Sequence, residues 1–213
     1  MNLKELYLKE MRTSGYNSRN IPEFHKFAIP YLLRKYSIKD DDLIVDIGAA
    51  EGHCIYTAKN CNYKNLAVVD YVDENFSKFE SDNIKTYNCD ITKSVLPLKN
   101  ETVSAFFLFH VVEHIHDSNL VISECYRSLK KGGVLFIATP NWARQIKTFH
   151  EDPTHIRPFI KSGISRLLRI HGWKDFKVCS FGTSFGLARL KLYKIFPKLA
   201  FIGRDILAIC IKD

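Results

Sequence analysis

Residues 43–52, LIVDIGAAEG, constrain what this chain can fold into more than any other stretch. Leu43, Ile44, Val45 and Ile47 make the short, branched, apolar run of a strand covered on both faces. Asp46 interrupts that run just before a turn. Gly48, Ala49, Ala50 and Gly52 then put four small residues into five positions. Small residues let backbone N–H groups approach a ligand closely, and glycine tolerates positive φ at a tight turn. Residues 53–59 can begin a helix, so a ligand at the turn meets a helix N-terminus. Strand, glycine turn and helix in that order build the nucleotide pocket of a doubly wound α/β sheet, at the carboxyl ends of its strands.

The glycine spacing chooses among nucleotides. A dinucleotide fingerprint needs G-x-G-x-x-G, whereas the order here is G-x-A-x-G, which disfavours a pyrophosphate. Asp70 closes a second strand, residues 66–70, near the distance at which an acid meets ribose hydroxyls. Before the turn, Ile29, Leu32, Leu33 and Tyr36 repeat at helical spacing, with Pro30 suited to the first turn. After Asp70 the pattern predicts a short helix within 71–82, a third strand over 84–91 and a buried central strand over 103–112. A helix follows over 120–130, ended by Lys130-Lys131-Gly132-Gly133, with cations at its negative end and glycine beyond. A fifth strand, 134–138, stops at Pro140-Asn141. Residues 142–158 read as loop and 163–170 as a basic helix ended by His171-Gly172. Residues 176–181 and 205–211 read as the closing strands. Alternating strands and helices predict one α/β domain: a seven-stranded, mostly parallel, doubly wound sheet with one antiparallel strand.

These residues resemble the class I S-adenosylmethionine-dependent methyltransferases, whose first motif has the form D-x-G-x-G-x-G. Here it runs from Asp46 to Gly52, with Ala50 in place of the middle glycine. The likeness continues through Asp70, Asp90, the HVVEH segment at 110–114 and LKKGGVLFIATPN at 129–141. Residues 155–173 are similar to the H-x-R-x-[FY] pattern and trailing leucine repeat of small-molecule members. The resemblance implies S-adenosyl-L-methionine as cofactor, held by Asp46, Gly48, Ala50, Gly52, Asp70, Asp90 and His110. Asp70 would take the ribose hydroxyls and Asp90 the adenine amino group. It divides the single domain, 1–213, into a helical cap (1–40), a donor-binding core (43–141), an acceptor side (142–204) and a last strand (205–213).

His110, Glu113 and His114 carry the sharpest signal for chemistry. H-x-x-E-H resembles the E-x-x-E-H of ubiquinone-pathway O-methyltransferases and small-RNA 2′-O-methyltransferases, in which it binds a divalent cation. Imidazole and carboxylate can ligate such an ion, making His110, Glu113 and His114 the metal candidates. The favoured alternative is that Glu113 and His114 shape the donor pocket without metal. His155, on the following loop, is a candidate general base, the role imidazole most often fills, or is a plain surface histidine. With Arg157, Phe159 and Asn141 it borders the expected acceptor side, while His150, Trp142 and Trp173 are assigned to packing. The expected reaction is O-methylation of a small-molecule, glycan or lipid-linked acceptor. The alternatives are an RNA methyltransferase, with nucleic acid less favoured, and a non-catalytic nucleotide-binding module with a basic interaction surface.

Composition adds location and partners. The net charge is +8, yet residues 142–204 hold 13 Lys/Arg against 3 Asp/Glu, while the rest carries 18 against 20. That asymmetry points to an anionic partner near the C-terminal third. Six cysteines without C-x-x-C pairing, no apolar run near the ~20 residues of a membrane span and no signal-peptide core predict a reduced, cytoplasmic chain. Read as a helix, 185–203 places Leu192, Ile195, Phe196 and Leu199 on one face and Lys191, Lys194 and Lys198 on the other, Arg189 excepted. That is the pattern of an arm lying on an anionic membrane, split in two by Pro197. An arm packed on the domain's own core is the alternative.

Overall fold

The computed structural model describes residues 21–182 and 191–213. Helix α1 (Glu23–Lys35) precedes β1 (Ile44–Ile47), α2 (His53–Asn60) and β2 (Leu66–Asp70). Then come α3 (Phe76–Ser81), β3 (Lys85–Asn88), β4 (Val103–Phe109), α4 (Asn119–Ser128) and β5 (Leu129–Pro140). Short α5 (Trp142–Gln145), α6 (Lys161–Ile170), β6 (Asp175–Phe181) and β7 (Asp205–Ile211) are the remaining α-helices and strands among the described residues. The seven strands form one sheet in the order β3-β2-β1-β4-β5-β7-β6. All neighbours run parallel except β7, which is antiparallel to both β5 and β6. The predicted class holds, with its single antiparallel strand.

Strand alternation sends side chains to two cores. Ala105, Phe107 and Phe109 of β4 join the core under α1 and α2, which contribute Ile29, Leu32, Leu33, Ile55 and Ala58. Phe106 and Leu108 join the opposite core, under Val121, Ile122 and Cys125 of α4 and Ile164 and Leu168 of α6. β4 is buried throughout, as a strand covered on both faces must be. The order of strands reverses between β1 and β4, so their carboxyl ends diverge into a crevice, the place where such sheets bind ligands.

Several boundaries differ from the sequence expectation. Pro30 lies well inside α1 rather than in its first turn. Its missing N–H and ring clash cost about 3 kcal/mol, but Ile29, Leu32 and Leu33 are each 0% exposed. Burial of each such side chain returns about 1.5–3 kcal/mol, so packing outweighs the local penalty. Helix α4 stops at Ser128, and Leu129 is already extended. Gly132 and Gly133 are therefore not a helix cap. They sit in an irregular start of β5, where Gly132 N–H donates to Lys212 O and Gly133 O accepts from Lys212 N–H. β3 is shorter than 84–91, leaving Asp90 just beyond its end. Residues 142–158 are not plain loop but carry α5 and a 3-10 turn at Phe149–Glu151.

Residues 1–20 of the expected cap and 185–190 of the expected arm, Arg189 included, lie outside the described residues. The rest of the arm forms two 3-10 turns, Leu192–Lys194 and Pro197–Ala200, not one helix. Tyr193 and Ala200 turn inward, while Ile195 and Phe196 remain exposed. Trp173 is buried as expected, but His150 is exposed. All six cysteines are free thiols. Among the described residues no helix is long and apolar enough to cross a membrane.

Candidate active site

The carboxyl ends of β1, β2, β3 and β4 open onto a cavity of about 420 Å³ whose lining includes Gly48, Asp70, Tyr71, Asp90, Val111 and His110. The turn after β1 folds tightly. Gly48 has φ +67°, Ala50 +50° and Gly52 +78°. A Cβ on Gly48 would lie 2.5 Å from Val111 Cγ2, and one on Gly52 2.5 Å from Phe79 Cε1. Only a residue without a side chain fits either place.

Asp70 ties the turn to the second strand. Its Oδ2 accepts Ala50 N–H at 3.0 Å and its Oδ1 accepts Val72 N–H at 3.0 Å. The carboxylate borders the cavity. Asn75 Nδ2 donates to Ala50 O at 3.0 Å, fixing the turn from its other side. Asp90 accepts Thr92 N–H and Oγ1–H, and its Oδ2 takes Lys93 Nζ at 2.9 Å. Burial alone would raise its pKa, but these donors outweigh it and hold the carboxyl below its ordinary value.

Three residues expected at the cofactor stand behind the cavity wall. Ala50 and Gly52 shape the turn without lining the cavity. Asp46 is 3% exposed on β1. Burial pushes its pKa up to about 8 against a backbone hydrogen bond from Ile55, with Asp70 adding repulsion. That bond makes Asp46 a brace for the first turn of α2.

The second cluster lies where β4 ends. His110 itself has φ +55°, a costly conformation for a non-glycine residue that often marks a functional turn. Its N–H donates to Ala138 O at 2.8 Å. The ring Nδ1 sits 3.2 Å from Glu113 Oε1, and Nε2 lies 3.9 Å from Asp205 Oδ2. Glu113 is 0% exposed, with Oε2 accepting from Thr139 Oγ1 at 2.9 Å. Its backbone oxygen accepts from Ile156 and Arg157 N–H. Burial disfavours charge on both partners, yet each stabilises the other. The pKa of His110 is raised by the Glu113 hydrogen bond and charge and then by Asp205. That of Glu113 is lowered by His110 and then His114.

His114 also borders the cavity. Its Nδ1 faces Thr154 Oγ1 at 2.9 Å, and burial, then the neighbouring His155, lowers its pKa. His155 does not line the cavity. Its Nδ1 donates to Phe149 O at 2.7 Å, its ring lies 4.8 Å from that of His114, and Asp152 Oδ2 is 3.6 Å from Nε2. The ligand atoms that converge, all within 4.8 Å, belong to Glu113, His114 and His155. His110, expected in the metal set, is replaced by His155. Nδ1 of both histidines faces an oxygen, Thr154 Oγ1 or Phe149 O, a common support for a metal-bound imidazole.

Sequence reasoning missed Tyr71, Val111 and Thr154 of the cavity wall and Asp205 beside His110. Tyr71 and Val111 follow Asp70 and His110 directly and were findable as neighbours of strand ends. Thr154 and Asp205 arrive by long-range packing, which no local pattern reports.

Residues 45–137 match the family model described as a methyltransferase domain. A probable S-adenosylmethionine-dependent methyltransferase of Mycolicibacterium smegmatis is 32% identical over 101 residues, 45% of this chain and 38% of that protein. The chain spans 38% to 50% of the length of the curated relatives it matches. Among solved structures, an Archaeoglobus fulgidus S-adenosylmethionine-dependent methyltransferase superposes with a TM-score of 0.67 at 21% identity, covering 97% of this chain and 99% of its own. A Thermotoga maritima protein described as a possible histamine N-methyltransferase gives a TM-score of 0.70 at 17% identity, with both chains covered fully.

Proposed function

Because residues 45–137 match a methyltransferase domain, we propose that the chain transfers a methyl group from S-adenosylmethionine to an acceptor hydroxyl, with His110 as the base. The residues present suit the donor: two strand-end carboxylates, Asp70 and Asp90, border one cavity with the apolar wall of Val111 and Ile115. Asp70 would take the ribose hydroxyls and Asp90 the adenine amino group, with Gly48 in the same cavity wall. The donor supplies an electrophilic methyl on a positively charged sulfur.

The observation that carries the reading is the His110–Glu113 pair at the cavity wall. Buried Glu113 holds the Nδ1 proton of His110 and so turns Nε2 toward the acceptor side, the logic of a base oriented by a carboxylate. Held in the cavity, the donor would give up its methyl to the acceptor oxygen, the S–C electron pair leaving with the sulfur. The hydroxyl proton passes to His110 Nε2, and Glu113 and Asp205 stabilise the imidazolium. Positioning of the two reactants supplies much of the rate. The acceptor class is a small molecule or a lipid-linked group. A second reading, metal-assisted deprotonation, draws on the converging ligand atoms of Glu113, His114 and His155.

Incubation of a cell extract with radiolabelled donor, sorted into lipid, glycan, RNA and small-molecule fractions, identifies the acceptor. With it in hand, His110→Ala should lower kcat by about 10²–10⁴-fold. Because Glu113 and Asp205 raise the His110 pKa, the neutral base gains population only as pH rises above the ordinary histidine range. The kcat profile should therefore climb on its alkaline side, and Glu113→Gln should move that limb to lower pH while lowering the plateau. A profile unchanged in Glu113→Gln would remove His110 as the base. Loss of turnover in chelator, restored by added divalent metal, would favour the metal reading instead.

A further inference from the structure

Among the described residues seven large apolar side chains are exposed, and four of them, Ile146, Ile195, Phe196 and Ile202, fall on two segments: the end of α5 and residues 195–202. Exposure reaches 71% at Ile195 and 60% at Phe196. The two segments are joined. Arg144 Nη1 donates to Ile202 O at 3.2 Å and to Gly203 O at 2.8 Å, and Gln145 Nε2 donates to Asp205 Oδ1 at 2.8 Å. Tyr193 anchors the arm beneath them, its ring 5.7 Å from Phe24 and 5.2 Å from Phe27 of α1. The apolar tips thus project from a fixed base.

The same two segments carry charge of one sign. Residues 142–147 and 191–204 contain Arg144, Lys147, Lys191, Lys194, Lys198 and Arg204 and no acidic residue. Lys191 and Lys194 share Glu23 at 3.3 and 3.4 Å, so their charge is partly neutralised. Among the described residues, Lys147, Lys198 and Arg204 have no carboxylate partner. Projecting isoleucine and phenylalanine on segments that also carry cations, three of them without a carboxylate partner among the described residues, is the chemistry of a surface that lies in the headgroup layer of an anionic bilayer. The position is also apt: Asp205, tied to α5, faces His110 at 3.9 Å.

We propose that the edge formed by α5 and residues 195–204 docks on an anionic phospholipid surface and presents the His110 side of the cavity to acceptors held there. Docking stands on the exposed apolar and basic side chains alone. Only its use for acceptor delivery rests on the proposed reaction. An acidic protein or a nucleic acid would engage the cations but has no need of Ile195 and Phe196.

The test is flotation of the full chain with vesicles of phosphatidylcholine alone and of phosphatidylcholine mixed with phosphatidylglycerol. Binding should require the anionic lipid and weaken as salt rises. Ile195→Ser with Phe196→Ser should lower the partition constant by roughly tenfold for each side chain removed. Lys147→Gln and Lys198→Gln should each lower it about fivefold, since a basic side chain near an anionic surface contributes about 1 kcal/mol. Ile170→Ser, at an equally exposed site tied through His171 to α4, should bind like the wild type. No flotation at low salt overturns the proposal, as does binding indifferent to the Ile195 and Phe196 substitutions. A large fall in melting temperature for those two would mean that the chain itself covers the patch, and would also overturn it. None of these readouts involves methyl transfer, so failure here leaves the catalytic reading to its own test.

Discussion

Asp46 sits on the central sheet with its carboxyl out of water, and its pKa of about 8 sets a pH dependence that can be measured without any ligand. The unfolded chain releases this proton near the ordinary aspartate value of 3.8, whereas the folded chain holds it until about pH 8. Between those values the native state binds more protons than the unfolded state, so the contribution is full at low pH and is lost as pH rises toward 8. Asn keeps an acceptor oxygen for the Ile55 N–H and carries no charge. Asp46→Asn should therefore raise the melting temperature at pH 8 by at least 2–4 °C, the change that ~1 kcal/mol gives in a domain of this size. The gap between variant and wild type should close as pH falls to 4. Melting curves across that range check it, and an equal offset at both ends would mean that Asp46 is ionised in the folded chain.

The glycine turn is the element where local sequence and packing coincide, and two glycines separate the contributions. Gly52 and Gly172 have nearly the same φ, +78° and +79°, but a Cβ at Gly172 meets nothing within 4 Å, while one at Gly52 strikes Phe79. Gly172→Ala should carry only the conformational cost, about 1–2 kcal/mol. Gly52→Ala should add an overpacking cost of about 1–3 kcal/mol, because Phe79 and Tyr56 must shift. Denaturant midpoints measure both, and equal losses would place Phe79 further from the turn than the structure has it. This turn was legible because its requirements are local: branched residues for a buried strand, then small residues for a close backbone approach. β2 and β7 were legible for the same reason and have the expected bounds. The boundary between α4 and β5 was not, because Gly132 and Gly133 satisfy a helix-end pattern while their partner is Lys212, far along the chain. Pro30 was misplaced because its cost is local but its compensation is the packing of α1 on the sheet. Asp205 and Thr154 reach the site only through the order of strands and the path of the 141–159 loop, and neither is written in any window of sequence.

For the molecule as a whole, the sheet order β3-β2-β1-β4-β5-β7-β6 brings the ends of four parallel strands to one crevice. One half of that crevice carries the carboxylates Asp70 and Asp90, the other His110 with Glu113 behind it. The central claim is that the first half holds a nucleoside donor. Calorimetric titration with S-adenosylhomocysteine, the demethylated donor, tests it most directly, because no acceptor is needed. The account predicts a single site of micromolar affinity, worth about 7–8 kcal/mol. It also predicts at least tenfold weaker binding in Asp70→Ala, which loses charge-assisted hydrogen bonds of about 1.5–3 kcal/mol to the ribose. No binding by a wild-type chain that melts cooperatively, or tighter binding of NAD than of S-adenosylhomocysteine, would contradict it.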